Sequence, residues 1–267
     1  MLLHNKVVIV SGIGPGLGIK LALHAAKEGA RGVVLAARTQ SRLDQASKQI
    51  QALGLECETL TVVNDICDRQ QCDALVEKAL ERFGRIDCLI NSAFYHGDFE
   101  PIETADLNHW RQILDTNLIG TMNMTQAVIP AMKKQQAGAI VMINTQATRQ
   151  PMVLDIGGES GYAASKGALA VTSKYLAKEL GTYGIRVNNC CMGWMWGEPV
   201  KNYVHHAAAE QEIDPQIIIN EVAKNIALNR ICTDDECAKA ALFLVSDYAS
   251  AVTGATLDAN GGEFMPV

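Results

Sequence analysis

The feature that most constrains the fold is a repeat of short, β-branched apolar runs alternating with longer segments of helical period. The apolar runs cover residues 6–11, 32–37, 58–63, 87–91, 139–144, 185–191 and 255–259. Most are near-continuous rather than alternating, as expected for parallel strands covered on both faces. Helical periodicity fills residues 16–29, 41–53, 69–83, 107–134 and 161–181. Units of ~25–30 residues joined by right-handed crossovers predict a doubly wound parallel α/β sheet with helices on both faces. No linker, internal repeat or low-complexity stretch divides the 267 residues, so one domain over 1–267 is expected.

Two segments carry more than their secondary structure. In 161–181 the apolar residues spread over nearly the whole helix circumference, which predicts burial on more than one side and contact with a second subunit. The stretch 194–229 contains an interval too long for a plain crossover and is expected to form a substrate-binding lobe. It holds His205 and His206, but adjacent positions do not share a helix face, so two solvated side chains are the better reading than a metal site.

Composition narrows the function classes. Twenty-nine acidic against 23 basic residues give a net charge of −6, with no Lys/Arg run of five, which argues against a nucleic-acid binder or a polybasic anchor. No apolar stretch approaches the ~18 residues of a membrane span, and the start, MLLHNKVVIVSG, has no basic leader region. A cytoplasmic protein is expected. The eight cysteines form no C-x-x-C and pair with no His at zinc-ligand spacing, so no metal is expected. Cys190 and Cys191 end an apolar run and read as small buried hydrophobes.

After the first apolar run comes Ser11-Gly12-Ile13-Gly14-Pro15-Gly16-Leu17-Gly18. Leu17 stands where a third glycine of G-x-G-x-x-G would fall; the spacing that fits is G-x-x-x-G-x-G, from Gly12, Gly16 and Gly18. Glycines there let the backbone turn tightly and approach a pyrophosphate, and a helix N-terminus supplies amide donors. The second run ends in Ala37-Arg38, where a carboxylate would bind an NAD ribose 2′-hydroxyl. Arg38, with Arg42 a turn further on, suits a 2′-phosphate instead, so NADP is favoured over NAD. Tyr162-Ala163-Ala164-Ser165-Lys166 puts a phenol and an ammonium on one helix face, where the cation favours phenolate.

On these residues the chain resembles the short-chain dehydrogenase/reductases, Rossmann-like enzymes of about 250 residues, over nearly its full length. The resemblance implies that Ser11, Gly12, Gly16, Leu17 and Gly18 hold a dinucleotide and that Asp65 and Ile66 contact its adenine. It also places Asn91, Ala93 and Met195 beside the cofactor. Asn117 matches a helix asparagine whose carbonyl holds a relay water. Tyr162 matches the acid–base and Lys166 the residue that binds the nicotinamide ribose.

The pattern also departs from the family. Thr145 stands at the catalytic serine position of Gly138-Ala139-Ile140-Val141-Met142-Ile143-Asn144-Thr145. It keeps a hydroxyl but adds a stiffening methyl. Phe94 replaces a glycine, Met192 a proline and Asn260 an aspartate. Phe94, Gln146, Trp194 and Trp196 are candidate substrate contacts. The reading is an NADP(H)-linked oxidoreductase interconverting a secondary alcohol and an apolar, cyclic or steroid-like ketone. It is expected to be a homotetramer. The alternatives are an NAD-dependent alcohol dehydrogenase of the same family and a nucleotide-binding regulatory protein without turnover.

Overall fold

Seven parallel strands form the central sheet in a computed structural model that describes residues 1–154 and 156–266. They are β1 (Val7–Ser11), β2 (Gly32–Ala37), β3 (Glu58–Val63), β4 (Cys88–Asn91), β5 (Gly138–Thr145), β6 (Ile185–Met192) and β7 (Thr256–Ala259). Their spatial order is 3-2-1-4-5-6-7, the two halves meeting where β1 pairs with β4. Neighbouring residues of β1 point to opposite faces. Val8 and Val10 join one apolar cluster with α1 (Leu17–Lys27), α2 (Gln40–Gln51) and α9 (Asp234–Val245). Val7 and Ile9 join another with α3 (Arg69–Phe83), α5 (Thr121–Gln135) and α6 (Ser160–Leu180). Both faces are covered, which is why the strands read as unbroken apolar runs.

The helix expected over 107–134 is interrupted. It consists of α4 (Leu107–Leu114), a π-helical turn (Asp115–Gly120) and α5. A π-turn adds a residue to the helical repeat and re-aims the helix beyond it, and such turns cluster at functional sites. Here the turn crowds Ile66, whose Cγ1 lies 2.8 Å from where a Cβ on Gly120 would stand. The periodicity of the sequence does not reveal this shift.

Helix α9 was not expected. Its signal is nonetheless present as Thr233-Asp234-Asp235-Glu236, a capping box in which Thr233 and Glu236 each satisfy the other's backbone amide. The stretch after β6 folds as two helices, α7 (Glu198–Glu210) and α8 (Pro215–Ala223). His205 and His206 are exposed on α7, and among the described residues no three His, Cys, Asp or Glu side chains converge on a cation position. All eight cysteines are free thiols. Cys190 and Cys191 are buried, as small hydrophobes in an apolar strand should be. No helix among the described residues is long and apolar enough to cross a membrane.

Candidate active site

The carboxyl ends of β1 and β4 flank the point where the strand order reverses, the place where open α/β sheets bind ligands. There the Ser11 carbonyl accepts hydrogen bonds from Ser92 and Ala93 N–H, both 2.8 Å, which ties the glycine turn to the loop after β4. Gly12 has φ +108°, and a Cβ there would lie 2.2 Å from the Ala93 nitrogen, so no other residue fits. Gly16 differs: only Pro199 of α7 comes near, at 3.7 Å from where its Cβ would stand. Its bareness leaves open space before α1, whose N-cap makes no side-chain hydrogen bond. A helix start without a side-chain cap, beside a cradle that a side chain would fill, is the chemistry a pyrophosphate requires.

The remaining nucleotide candidates divide into exposed and buried groups. Arg38 is exposed just beyond β2, and among the described residues no carboxylate pairs with it or with Arg42. Asp65 is half-buried and accepts the Cys67 N–H, whereas Ile66 is buried under the π-turn. The side chain of Leu17 points into the core, leaving its backbone to the turn. Met195 pairs with Cys232 in a two-residue bridge and packs on the same core. The Asn91 amide is buried and donates to Thr125 Oγ1 (3.0 Å) and Met142 Sδ (3.2 Å), so its side chain fastens β4 to α5.

Tyr162 and Lys166 lie one turn apart near the start of α6. Lys166 is 2% exposed, with Nζ donating to the Ile143 carbonyl (2.9 Å) and lying 5.9 Å from the Tyr162 ring centre. Burial lowers its pKa from 10.5 to about 8. Burial pushes the Tyr162 phenol above its ordinary value, and the nearby Glu159 and Cys191 push the same way. The Thr145 hydroxyl opposes them. Thr145 Oγ1 accepts the Ala147 N–H (3.2 Å), which leaves its hydroxyl proton to donate. The site therefore holds a protonated phenol, a second hydroxyl donor and an ammonium within one cleft. That set can deliver a proton to an oxygen gaining negative charge.

Asn117 sits in the π-turn, fully buried, with its side chain consumed by protein. Oδ1 accepts the Tyr95 N–H, while Nδ2 donates to the Tyr95 carbonyl and to Ser165 Oγ. It clamps the loop after β4 to α6. A second polar seam escaped sequence reading. Asn144 Nδ2 donates to the Lys166 carbonyl and to Asn189 Oδ1, and Asn189 Nδ2 donates to Ser173 Oγ. These buried amides register α6 against β5 and β6, which sets Tyr162 opposite Thr145.

The substrate candidates fall unevenly. The Phe94 ring is 53% exposed and 6.2 Å from the Tyr162 ring centre, so it borders the phenol. Gln146 lies against Gly193, where its Oε1 is buried without a partner, as is Glu263 Oε2. Trp194 packs on Tyr203 of α7, and Trp196 lines a cleft beside the glycine turn with Pro15, Lys20, Lys201 and His205. Sequence reading missed His96, whose ring lies 4.6 Å from that of Tyr162 and whose Nε2 meets Glu159 Oε2 at 2.8 Å.

The buried lysine gives a signed prediction. Its depressed pKa means the folded state disfavours the ammonium. Stability is therefore lowest below pH 8 and rises as the pH climbs from about 8 towards 10.5. Lys166→Met should raise the unfolding free energy at pH 7, read from urea titration, by on the order of 2 kcal/mol. That size follows from ~1.4 kcal/mol per pKa unit less one lost hydrogen bond. The gain should vanish above pH 10.5, where the unfolded lysine is also neutral. An unchanged free energy at pH 7 would show that the ammonium is better solvated than its burial implies.

The family described as enoyl-(acyl carrier protein) reductase matches residues 12–263. Levodione reductase of Leifsonia aquatica is 31% identical over 97% of this chain and 94% of its own. The structure of L-sorbose reductase from Gluconobacter frateurii, complexed with NADPH and L-sorbose, superposes with a TM-score of 0.92 at 27% identity, over 100% and 99% of the two chains. That of NAD+-bound xylitol dehydrogenase gives 0.85 at 25% identity, over 98% and 100%. Matching over the whole length, a crossover cleft with a bare glycine turn, and a tyrosine–lysine pair on one helix face converge on one assignment. The chain belongs to the short-chain dehydrogenase/reductase family and is an NAD(P)-dependent oxidoreductase.

Proposed function

We propose that this enzyme reduces a ketone to a secondary alcohol with NADPH. The observation that carries this reading is the cleft itself: the Tyr162 phenol, kept protonated by burial, shares it with the Thr145 hydroxyl and the Lys166 ammonium. The glycine turn from Gly12 to Gly18 would hold the pyrophosphate, with Ser11, Asp65, Ile66, Asn91 and Ala93 around the nucleotide. Met195 would lie beside the cofactor as well. Bound there, a nicotinamide would supply the hydride for the carbonyl carbon. Tyr162 then donates its proton to the developing alkoxide while Thr145 hydrogen-bonds the same oxygen. Lys166 orients the ribose and, with a water at the Asn117 carbonyl, returns the proton to Tyr162.

Phe94 bordering the phenol supports an apolar, cyclic ketone, with the lobe of 194–229 closing over it. The relatives are named for different substrates: levodione, the ketose L-sorbose and the polyol xylitol. A panel of cyclic ketones, steroids and ketoses, followed by NADPH absorbance, separates these readings. Tight cofactor binding without turnover on the whole panel would instead favour a regulatory protein.

Arg38 supports NADP because it is exposed, unpaired among the described residues and preceded by Ala37 rather than a carboxylate. Arg38→Asp should cut the ratio of kcat/KM for NADPH over NADH at least ~10-fold, the equivalent of ~1.4 kcal/mol. An unchanged ratio, or a wild type that already prefers NADH, would reverse this assignment in favour of the NAD-dependent reading.

A homotetramer formed through α6 completes the proposal. Ala164, Val171 and Tyr175 line one outward face of that helix, with Val171 57% and Tyr175 67% exposed. Light scattering at micromolar concentration should give a multiple of the 28.8 kDa chain mass, and a monomer would refute it. The absence of a long apolar helix among the described residues and the eight free thiols support a cytoplasmic location.

A further inference from the structure

His96 and Glu159 lie outside the tyrosine–lysine–hydroxyl set, yet they form the wall on which the phenol rests. The imidazole stacks on Tyr162 at 4.6 Å between centres and 31° between planes, with Phe99 at 5.1 Å from its ring centre. Nδ1 lies 3.0 Å from the Gly97 carbonyl oxygen, which can only accept a hydrogen bond. Nδ1 must therefore carry a proton. Nε2 lies 2.8 Å from Glu159 Oε2, another acceptor when ionised, so a second proton sits between them. With both nitrogens donating, the ring is an imidazolium and the pair as a unit is neutral. Both ring nitrogens are also used up, so His96 cannot relay protons to the substrate.

We propose that His96 is a positioning residue for the proton step: as an imidazolium it cancels the charge that Glu159 would otherwise project onto Tyr162. Glu159 is 9% exposed and stands three residues before Tyr162, at the N-cap of α6. A bare carboxylate there would oppose negative charge on the phenol and on the alkoxide beside it. The other charged or titratable groups facing this wall are Lys166 on α6, Cys191 on β6 and Asp98 in the loop of His96 itself. Thr145 faces it from β5, and the neutral Asn117 holds the loop from the π-turn. Lys166 is the other cation held against the phenol, and Arg149 lies beyond Cys191, 2.9 Å from its sulfur. Burial disfavours a charged imidazole, but Glu159 and the Gly97 carbonyl outweigh it and raise the pKa of the ring. The proposal rests on Tyr162 being the acid–base group.

The test has one arm that needs no turnover. In the cofactor-free protein with 15N-labelled histidine, NMR should show the His96 ring, assigned by its loss in His96→Phe, doubly protonated at pH 7. Glu159→Gln should move its midpoint down by about one unit or more, the size of one charged hydrogen bond. A neutral, singly protonated His96 at pH 7 would overturn the proposal whatever the enzyme does. The second arm uses alcohol oxidation, where Tyr162 must act as a phenolate. His96→Phe keeps an aromatic ring on the phenol but strips Glu159 of its partner. It should shift the acid limb of kcat/KM, which reports ionisation of the phenol, up by about one pH unit and lower the rate about tenfold at pH 7. Adding Glu159→Gln removes the stranded charge and should restore the rate to within about threefold of wild type. If the double variant is as slow as His96→Phe, the pair serves packing alone and the proposal fails. Absence of any oxidoreductase turnover in the wild type, with an imidazolium still seen, would instead count against the function proposed above.

Discussion

Tyr162→Phe should lower turnover by at least ~10²-fold, the lower range for a general acid, with cofactor affinity little changed. The ring, its place on α6 and its stacking on His96 and Phe94 all survive the change; only the hydroxyl is lost. Neither nearby cation is placed to substitute for it. The Lys166 ammonium is 5.9 Å from the ring centre and engaged with the Ile143 carbonyl, and both nitrogens of His96 are occupied. Fluorescence titration with NADPH separates the two effects. A parallel loss of cofactor binding would mean that the phenol holds the nucleotide rather than the proton. Survival of turnover within tenfold would move the proton to another donor, and Ser160, whose Oγ is buried without a partner, would be the next candidate.

Thr145 has the second large expected effect, read from two substitutions. Thr145→Ala removes the hydroxyl proposed to bond the reacting oxygen and should cost about 10²-fold in kcat, as for loss of one oxyanion donor. Thr145→Ser deletes only the γ-methyl and should keep kcat within about tenfold, a limit of roughly 1.4 kcal/mol in the barrier. The Thr145 oxygen also accepts the Ala147 N–H and so shapes the turn after β5, a contact that Ser can keep and Ala cannot. Circular dichroism and thermal midpoints of both variants isolate that structural share. Equal damage from Ser and Ala would make the methyl the working part and Thr145 a packing residue. A harmless Ala would pass the oxyanion role to another group, with Gln146 first in line.

The fold and the candidate chemistry differ in how much of them is local in the chain. Strand positions, the parallel arrangement and the coverage of both sheet faces follow from apolar runs whose period is set by adjacent residues. The same holds for the glycine turn: a positive φ at Gly12 and an uncapped helix after Gly16 are properties of a few consecutive positions. Tyr162 and Lys166 share a helix face by spacing alone. Even the missed α9 was encoded locally, in the capping box of Thr233 and Glu236.

Only the tertiary structure decided which side chains meet across elements, and with what charge. Asn117 could be placed on a helix, but the π-turn that swings its amide onto Tyr95 and Ser165 depends on packing against Ile66 and α6. Arg38 was legible as a residue type, yet its lack of a carboxylate partner among the described residues is a fact about the surface around it. Phe94 reached the phenol while Trp194 and Trp196 turned to α7 and the glycine-turn cleft, although all three look alike as aromatic residues at strand ends. His96 and Glu159 are 63 residues apart and belong to no spacing motif. A local pattern fixes backbone conformation because it acts through neighbouring dihedrals and one apolar face. The protonation of a site depends on burial and on charges a few ångströms away, which chain folding brings together from any distance in sequence.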